Sequence, residues 1–381
     1  MNPLLSVIVP TKNRYKYLKH LIDLIDSFNS NDIELVIQDN SDNNQEILLF
    51  LDNKSYPNVR YFYTTDKLSM SRNSDAAILN STGEYVCFIG DDDGVCRNII
   101  DCAKWMKKSD IDAVKPSKVG YYWGDYNKEK LKDNLSQTLV FKKIKYSFQF
   151  VEPLKELETT LKIGFQDKRN LPFLYNGIVK RSVLNEIYSI GKTYFPGGSP
   201  DISNGVSLCF YIKKYAVINI PVVIPGTSYM TGGGIHKREG KISNLEDVGF
   251  IDQSVIDNWE KKIPKIWAGK FAWPESALKG LKYVGYFEYL EKMNYDYMFA
   301  NFSIYHYPYR KLAWEYTPNK IKYISYVFWI LSYNICRVTK NKIVALFCNK
   351  TNGLIRVGNM QTIIDAEKYL MNKCDNNLFF K

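Results

Sequence analysis

The sequence has few of the residues that build metal clusters and disulfide frameworks. It holds only three His, and its seven Cys form no CxxC pair and follow no regular spacing. We therefore expect neither a zinc site nor a disulfide framework, and a reduced, cytosolic setting. No stretch reaches the ~18 uncharged apolar residues of a membrane span. The apolar run Leu4–Pro10 lacks the basic start and cleavage site of an export signal, so we expect a buried strand there.

The composition is that of a folded chain with an excess of positive charge. The chain has 381 residues, 45% hydrophobic and 24% charged, which excludes a disordered or fibrous protein. Its net charge of +11 indicates an anionic partner. Most of this charge lies in residues 305–356, where nine Lys and Arg face one acid, Glu315. That segment contains the mainly apolar run Tyr323–Cys336, which is too short to cross a bilayer.

Strand and helix patterns alternate over the first ~115 residues. Leu4–Val9, Ile33–Gln38, Val59–Thr64 and Glu84–Ile89 are apolar runs of strand length, with helical spacing between them. Repeated βα units of this kind predict an α/β fold with a mostly parallel sheet and helices on both faces. Beyond about residue 250 the pattern becomes helical and aromatic.

Three of these strands end in polar residues. The first ends in Pro10–Arg14 (PTKNR), the second in Asp39–Asp42 (DNSD) and the fourth in Asp91–Asp93. Ligands of open parallel sheets bind at the carboxyl ends of the strands, so all three ends should line one site.

The triplet Asp91–Asp93 is the sharpest of these features. Adjacent carboxylates repel one another unless a cation neutralises them. Hard oxygen ligands suit Mg²⁺ or Mn²⁺, which commonly bridges such carboxylates to substrate phosphates. The alternative is a solvated turn whose last Asp caps the following helix.

Asp39 and Arg72 are candidate nucleotide contacts. A carboxylate at a strand end, such as Asp39, can accept hydrogen bonds from a nucleobase or ribose, although Asp-Asn-Ser clusters are also ordinary loop chemistry. Arg72 and Asn73 begin a predicted helix, and a helix N-terminus with an Arg suits a diphosphate. A surface Arg is the equally open alternative.

The runs SVIVPTKNR, ELVIQDNSD and LSMSRNSDAAILNSTGEYVCFIGDDD together resemble family 2 glycosyltransferases. The resemblance is strong over about residues 4–115, weaker over 170–240, and does not reach the last ~130 residues. It implies a GT-A fold and an inverting transfer of a sugar from a nucleotide-diphosphate donor, UDP first among them. It also implies a catalytic domain of residues 1–245, divided into a nucleotide half (1–115) and an acceptor half (116–245), with a helical region at 246–381.

The resemblance assigns roles by position. Asp91–Asp93 take the place of the family's DxD motif, with Asp93 the first choice for the metal and Asp91 and Asp92 for metal-bridging, ribose or sugar contacts. The residue before them is often Asp in relatives and is Gly90 here, which leaves the roles within the triplet open. The expected donor-binding residues are Pro10, Thr11, Asn13, Arg14, Asp39, Arg72, Asp91 and Asp92, and the expected metal ligands for Mn²⁺ or Mg²⁺ are Asp93, Asp91 and His236.

Two further roles belong to the second half. In the family the general base is an acid at the start of a helix, which Asp201 matches after FPGGSP, although Pro200 replaces the partner acid often found there. Asp201 would also serve as a helix N-terminal residue without any catalytic role. His236 lies in TGGGIHKRE, a segment that in relatives closes over the donor, and the alternative is a surface loop.

These inferences predict a glycosyltransferase that modifies a saccharide or lipid-linked saccharide in bacterial surface polysaccharide synthesis. We expect a cytoplasmic enzyme that docks at the inner face of the plasma membrane through residues 305–356, a segment that could instead pack on the catalytic domain or form a homo-oligomer. No nucleic-acid partner is expected, since Asp91–Asp93 would repel phosphate without a metal. The remaining rivals are a nucleotidyltransferase, a nucleic-acid-binding protein and an inactive relative.

Overall fold

The computed structural model describes residues 2–126, 135–231, 242–348, 353–374 and 380. In chain order the strands are β1 (Leu5–Thr11), β2 (Ile33–Asp39), β3 (Val59–Tyr63), β4 (Tyr85–Phe88), β5 (Gly94–Val95), β6 (Ala113–Lys115), β7 (Val119–Tyr122), β8 (Thr138–Lys142), β9 (Phe148–Phe150), β10 (Ile178–Lys180), β11 (Tyr215–Ile218), β12 (Val223–Ile224), β13 (Gly226–Thr227), β14 (Ser243–Asn244), β15 (Ile266–Trp267) and β16 (Leu354–Val357). The α-helices are α1 (Tyr15–Asp26), α2 (Gln45–Asp52), α3 (Met70–Leu79), α4 (Ile99–Lys108), α5 (Pro153–Lys162), α6 (Arg181–Gly191), α7 (Pro200–Tyr211), α8 (Gln253–Asp257), α9 (Gly269–Val284), α10 (Tyr295–Tyr305), α11 (Arg310–Tyr316), α12 (Lys320–Cys348) and α13 (Ile363–Lys373).

An eight-stranded sheet forms the centre of the fold, in the order β3-β2-β1-β4-β10-β6-β11-β9. The pairs β3/β2, β2/β1, β1/β4 and β6/β11 are parallel. Strand β10 is antiparallel to both its neighbours, and β9 is antiparallel to β11. The predicted α/β class with a mostly parallel sheet is therefore confirmed, with antiparallel strands added from the second half.

Helices cover both faces of this sheet. Val7 and Val9 of β1 pack into a core with α1, α4 and α13. Ile8, between them, points into a second core with α3, α6 and α7. Side chains alternate in direction along a strand, so a strand with apolar residues at every position must be covered on both faces.

A third core lies among the helices of the second half. Helices α5, α7, α9, α10 and α12 contribute buried apolar side chains to it, among them Phe271, Phe299 and Phe302. This core confirms the predicted helical C-terminal region. Within the ranges described, no helix is both long enough and apolar enough to cross a membrane.

The end of the chain returns to the first half. Strand β16 pairs with β8 in a four-stranded sheet, β13-β7-β8-β16. Helix α13 packs against α1 and β5, and its Ile363, Ala366 and Leu370 are buried in the first core. The division of the chain at residue 245 stays a prediction. The returning segment packs away from the helical core: β16 pairs with β8 of the acceptor half, and α13 packs on α1 and β5 of the nucleotide half.

Candidate active site

Polar residues from the ends of β1 and β4 meet at one edge of the sheet. Thr11, the last residue of β1, donates a hydrogen bond from Oγ1 to Asp91 Oδ2 at 2.7 Å. In-register parallel pairing of β1 with β4 places their carboxyl ends side by side. This contact is the juxtaposition that the strand pattern predicts.

Arg14 joins two of the three acids. Its Nη1 lies 3.0 Å from Asp91 Oδ1, and its Nη2 lies 2.8 Å from Asp92 Oδ2. The side chain of Arg14 is 18% exposed and those of Asp91 and Asp92 are almost fully buried. A guanidinium between two carboxylates supplies the neutralising positive charge that the triplet requires.

Asp92 and Asp93 also anchor the chain that leads toward the Gly-rich segment. Asp92 Oδ2 accepts hydrogen bonds from the hydroxyls of Ser228 at 2.7 Å and Thr231 at 2.6 Å. Asp93 accepts from the backbone of Gly226 at 2.6 Å, from the backbone of Gly90 at 2.8 Å and from the Tyr175 hydroxyl at 2.9 Å. The triplet therefore joins β4 to residues 226–231.

The electrostatics of the triplet follow from its burial. Burial raises the pKa of Asp91, and Arg14 and the Thr11 hydroxyl oppose that rise. Burial and the charge of Asp92 likewise raise the pKa of Asp93. Burial lowers the pKa of Arg14, but Asp91 and Asp92 outweigh it and the net shift is upward. The site holds negative charge only because cations and hydrogen-bond donors stabilise it.

Asn13 and Arg14 line an open cleft of about 380 Å³ beside the triplet. Asn13 has a positive φ of 58°. Its side-chain nitrogen Nδ2 donates a hydrogen bond to Asp42 Oδ2, and its Oδ1 accepts one from the backbone N–H of Asp42. These bonds hold the loops after β1 and β2 together. The cleft is lined by Asn13, Arg14, Tyr15, Lys16, Tyr17, Asp42, Asn43, Glu46 and Met230.

Asp39 is fully buried at the end of β2. Its Oδ2 accepts hydrogen bonds from the hydroxyls of Tyr15 and Tyr61, both at 2.6 Å, and its Oδ1 accepts from the Ser41 backbone. Asp39 therefore holds the side chains of Tyr15 and Tyr61 and the backbone of Ser41 together at the end of β2. Its contact with a base stays a prediction.

Arg72 and Pro10 lie at the margins of the site. Arg72 is 67% exposed and its Nε lies 2.9 Å from Asp252 Oδ2, which ties the first turn of α3 to the start of α8. Pro10 is partly buried within β1, in register with Gln38. Their roles toward a donor stay predictions.

Asp201 lies in the first turn of α7, as predicted, and is ion-paired with Lys168. The Lys168 ammonium also lies 4.8 Å from the ring centroid of Trp273. Tyr175 connects this side to the triplet: burial raises its pKa, and the charges of Asp93, Asp92 and Asp201 add to that rise. The charge of Asp201 therefore acts on the Tyr175 hydroxyl, which donates a hydrogen bond to Asp93.

A divalent cation fits this edge only as an ion shared with a ligand. The described ranges contain no group of three or more His, Cys, Asp and Glu side chains that could hold a metal ion. The Oδ1 atom of Asp91 is buried and is ion-paired with Arg14 at 3.0 Å, but it accepts no hydrogen bond within those ranges. Mg²⁺ and Mn²⁺ commonly take one or two carboxylates, with phosphate and water completing the shell. His236, the third predicted ligand, lies outside the described residues.

Sequence reasoning missed Tyr175, Ser228, Thr231 and Lys168. Each contacts one of the predicted acids but comes from the predicted acceptor half (116–245), where strand and helix patterns are short. The only sequence signal was indirect: Ser228 and Thr231 immediately precede the Gly-rich segment that drew attention to His236.

Comparison with known proteins agrees with the resemblance. Residues 6–169 match the family model for glycosyl transferase family 2. Over 94 residues the chain is 33% identical to the GalNAc(5)-diNAcBac-PP-undecaprenol beta-1,3-glucosyltransferase of Campylobacter jejuni subsp. jejuni serotype O:2, covering 24% of this chain and 30% of that enzyme.

Two solved structures are also similar. TarS 1–349 of S. aureus, in complex with UDP-GlcNAc, is 17% identical with a TM-score of 0.47, over 67% of this chain and 64% of that one. The mannosyltransferase PcManGT of Pyrobaculum calidifontis, in complex with GDP-Man and Mn²⁺, is 14% identical with a TM-score of 0.38, over 86% and 87%. The chain thus spans under a third of the glucosyltransferase's length and just under two thirds of TarS 1–349. The matched segment, residues 6–169, carries Thr11, Arg14 and Asp91–Asp93 at the edge of the α/β sheet, and over this segment the chain is similar to glycosyl transferase family 2.

Proposed function

We propose that the protein is an inverting glycosyltransferase that moves a sugar from a nucleoside diphosphate, UDP first among them, to a saccharide or lipid-linked saccharide. The observation that carries the proposal is the meeting of Thr11, Arg14 and Asp91–Asp93 at one sheet edge, inside the segment that matches the family. The glucosyltransferase relative is named for a lipid-linked saccharide, which supports the same class of acceptor. The sugar is of the hexosyl or N-acetylhexosaminyl type.

The donor would lie along the cleft beside Arg14. Asn13 and Arg14 line that cleft, and the exposed part of the Arg14 guanidinium offers positive charge toward a diphosphate. Asp91 and Asp93 would hold Mn²⁺ or Mg²⁺ when the donor brings its phosphates, and such an ion supplies charge that stabilises the leaving nucleoside diphosphate. Arg14 supplies the same sign of charge from the protein itself.

Asp201 would act as the general base. In a single displacement, the acceptor oxygen forms a bond to C1 of the sugar, the bond from C1 to the phosphate oxygen breaks, and the electron pair leaves with the nucleoside diphosphate. The hydroxyl proton passes to the Asp201 carboxylate, which is 26% exposed and so open to an acceptor. Lys168 fixes one oxygen of that carboxylate and leaves the other for the proton.

The setting that we propose is the synthesis of bacterial surface polysaccharide at the inner face of the plasma membrane. The acceptor for which the glucosyltransferase relative is named contains an undecaprenol diphosphate, a membrane-bound carrier by its chemistry. An enzyme acting on such a carrier needs access to the membrane surface.

A donor screen tests the proposal. The full chain is incubated with UDP-, GDP-, CDP- and dTDP-sugars, with and without Mn²⁺, and release of nucleoside diphosphate is measured. Turnover or binding of at least one donor is the expected result. Pyrophosphate release from a nucleoside triphosphate and a sugar phosphate would favour a nucleotidyltransferase, and absence of binding or turnover for every donor would reject the proposal.

A further inference from the structure

One apolar face of helix α12 is not covered by any of the residues that the structure describes. Its inner face packs into the helical core, where Tyr323 is 8% and Ile330 is 3% exposed. On the opposite face, Ile321, Phe328 and Ile335 recur every seven residues, or about two helical turns, and are 78%, 68% and 66% exposed. The same face and its flanks include the exposed residues Ile324, Trp329, Leu331, Tyr333 and Val338.

This face carries no charge along its middle and cations at both ends. Between Lys322 and Arg337 there is no Asp, Glu, Lys or Arg, a stretch of fourteen residues, Tyr323–Cys336, that spans about 21 Å of helix. Lys320 and Lys322 precede the stretch, and Arg337 and Lys340 follow it.

Aromatic side chains continue the surface beyond the helix. Tyr307, Tyr309, Trp314 and Tyr316, between α10 and α12, are each more than 40% exposed. The guanidinium of Arg310 lies 4.0 Å from the centroid of the Tyr307 ring, and the ammonium of Lys320 lies 5.0 Å from that of Trp314. Tyr and Trp beside cations are typical of surfaces that meet the boundary between lipid headgroups and acyl chains.

We propose that this docking face, Ile321–Val338 with Tyr307–Tyr316, binds the surface of an anionic phospholipid bilayer without crossing it. Residues 307–340 hold six Lys and Arg and one acid, Glu315, so the face and its two ends present a net charge of +5 to a negative surface. The apolar side chains of α12 enter the headgroup region while Lys and Arg at both ends meet lipid phosphates.

The distribution of charge on the docking face disfavours a second copy of the chain and a nucleic acid as its partner. A second copy placed on the same face would bring two surfaces of about +5 together, and like charges across an interface disfavour such a pair. A nucleic acid would lay its phosphates along an uncharged, apolar stretch about 21 Å long, with cations only at the ends. A bilayer with anionic lipids complements both parts of the face at once.

The orientation of the docking face is fixed by packing. Helix α12 packs on α10, α10 packs on α9, and α9 packs on α7, which carries Asp201 in its first turn. Binding of the face would therefore hold α7 in a defined relation to the membrane. The proposal does not depend on glycosyl transfer, because it rests on exposure and charge alone.

Vesicle co-sedimentation of the full chain tests the proposal. We expect binding to vesicles of 60% phosphatidylcholine and 40% phosphatidylglycerol, weak binding to pure phosphatidylcholine, and loss of binding as NaCl is raised. Phe328→Asp and the pair Arg337→Glu/Lys340→Glu should each lower the partition coefficient at least tenfold. Leu49→Asp, at a 63% exposed apolar site on α2, is the matched control and should bind as the wild type does.

Two readouts keep the outcomes distinct. Circular-dichroism melting curves should be unchanged in all variants, since each altered side chain is solvent-exposed. Analytical ultracentrifugation reports the oligomeric state. Wild-type binding that Phe328→Asp leaves intact would overturn the proposal, as would no binding to anionic vesicles. A wild-type dimer that Phe328→Asp dissociates, without vesicle binding, would identify the face as a contact between copies instead.

Discussion

Nη2 of Arg14 lies 2.8 Å from Oδ2 of Asp92, and both side chains are largely buried at one edge of the sheet. The same guanidinium contacts Asp91 through its other nitrogen. Because the carboxylates of Asp91 and Asp92 are nearly fully buried, their charge depends on Arg14 more than on solvent. The pair thus serves both the stability of the fold and the electrostatics of the proposed donor site.

Replacing Arg14 by Ala should therefore destabilise the protein strongly. The change leaves two buried carboxylates without their counter-charge, which typically costs about 3–5 kcal/mol. The free energy of unfolding from urea titration at pH 7.5 measures the effect. Arg72→Ala removes a 67% exposed Arg from its pair with Asp252 and is the control, expected to cost at most about 1 kcal/mol. Equal losses for the two variants would contradict the role assigned to Arg14.

Gly226→Ala should disrupt the anchor between the acidic triplet and residues 226–231. A Cβ at Gly226 would lie 1.7 Å from the backbone oxygen of Asp92, and the backbone amide of Gly226 donates to Asp93. Neither backbone can move aside without breaking the contacts of the triplet, so we expect a loss of at least about 3 kcal/mol in stability. Thermal melting measures it.

Gly249→Ala is the matched control for that change. A Cβ at Gly249 meets no atom within 4 Å, and the expected shift in stability is within about 0.5 kcal/mol. A Gly226→Ala variant as stable as Gly249→Ala would show that the close approach of β13 to Asp92 does not occur in solution.

Glu275 should make the protein less stable as the pH rises. It is fully buried in α9, its carboxylate oxygens accept no hydrogen bond within the described residues, and Lys279 Nζ lies 3.7 Å away. Burial raises its pKa from 4.5 to about 7. The folded state therefore holds this proton more tightly than the unfolded state, and stability falls between about pH 4.5 and 7.

The substitution Glu275→Gln tests that effect. The amide stays neutral, so the variant should lose the part of the pH dependence that Glu275 contributes and be more stable than the wild type at pH 8 by up to about 3 kcal/mol. At pH 5 the two proteins should differ little. Urea unfolding at both values measures the difference, with exposed Glu291→Gln as the control. If the free energy of unfolding changed equally with pH in the wild type and in the Gln variant, Glu275 would be ionised in the folded protein without a loss of stability.

The residues of the sheet edge were predictable because short, contiguous stretches of the sequence determine them. The apolar runs of β1, β2 and β4 predict parallel strands, and the polar residues at their ends must then meet, as Thr11 and Asp91 do. Tyr175 and Ser228 were not predictable in the same way, since they lie just before β10 and just after β13, short strands whose pairing depends on tertiary packing. The buried state of Asp39 has the same cause: Tyr15 and Tyr61 bind it only after α1 and β3 have packed on β2.

Helix α12 shows a further limit of the pattern. The apolar run Tyr323–Cys336 predicts a buried helix or an interfacial one equally well. Its periodicity does not tell which face packs on α10, and only the exposure of Ile321, Phe328 and Ile335 separates the two faces.

Asp201→Asn should abolish transfer while leaving donor binding intact. The amide keeps the size and the helix-terminal position of the carboxylate but cannot accept the acceptor's proton, so the rate of transfer should fall by about 10²–10⁴. Donor affinity, measured by isothermal titration calorimetry, should change less than twofold if Asp201, which is ion-paired with Lys168, serves the acceptor as we propose. Asp101→Asn, an exposed acid in the first turn of α4, is the matched control and should transfer normally. Near-normal transfer by Asp201→Asn would show that another group takes the proton, and weakened donor binding would place Asp201 on the donor instead.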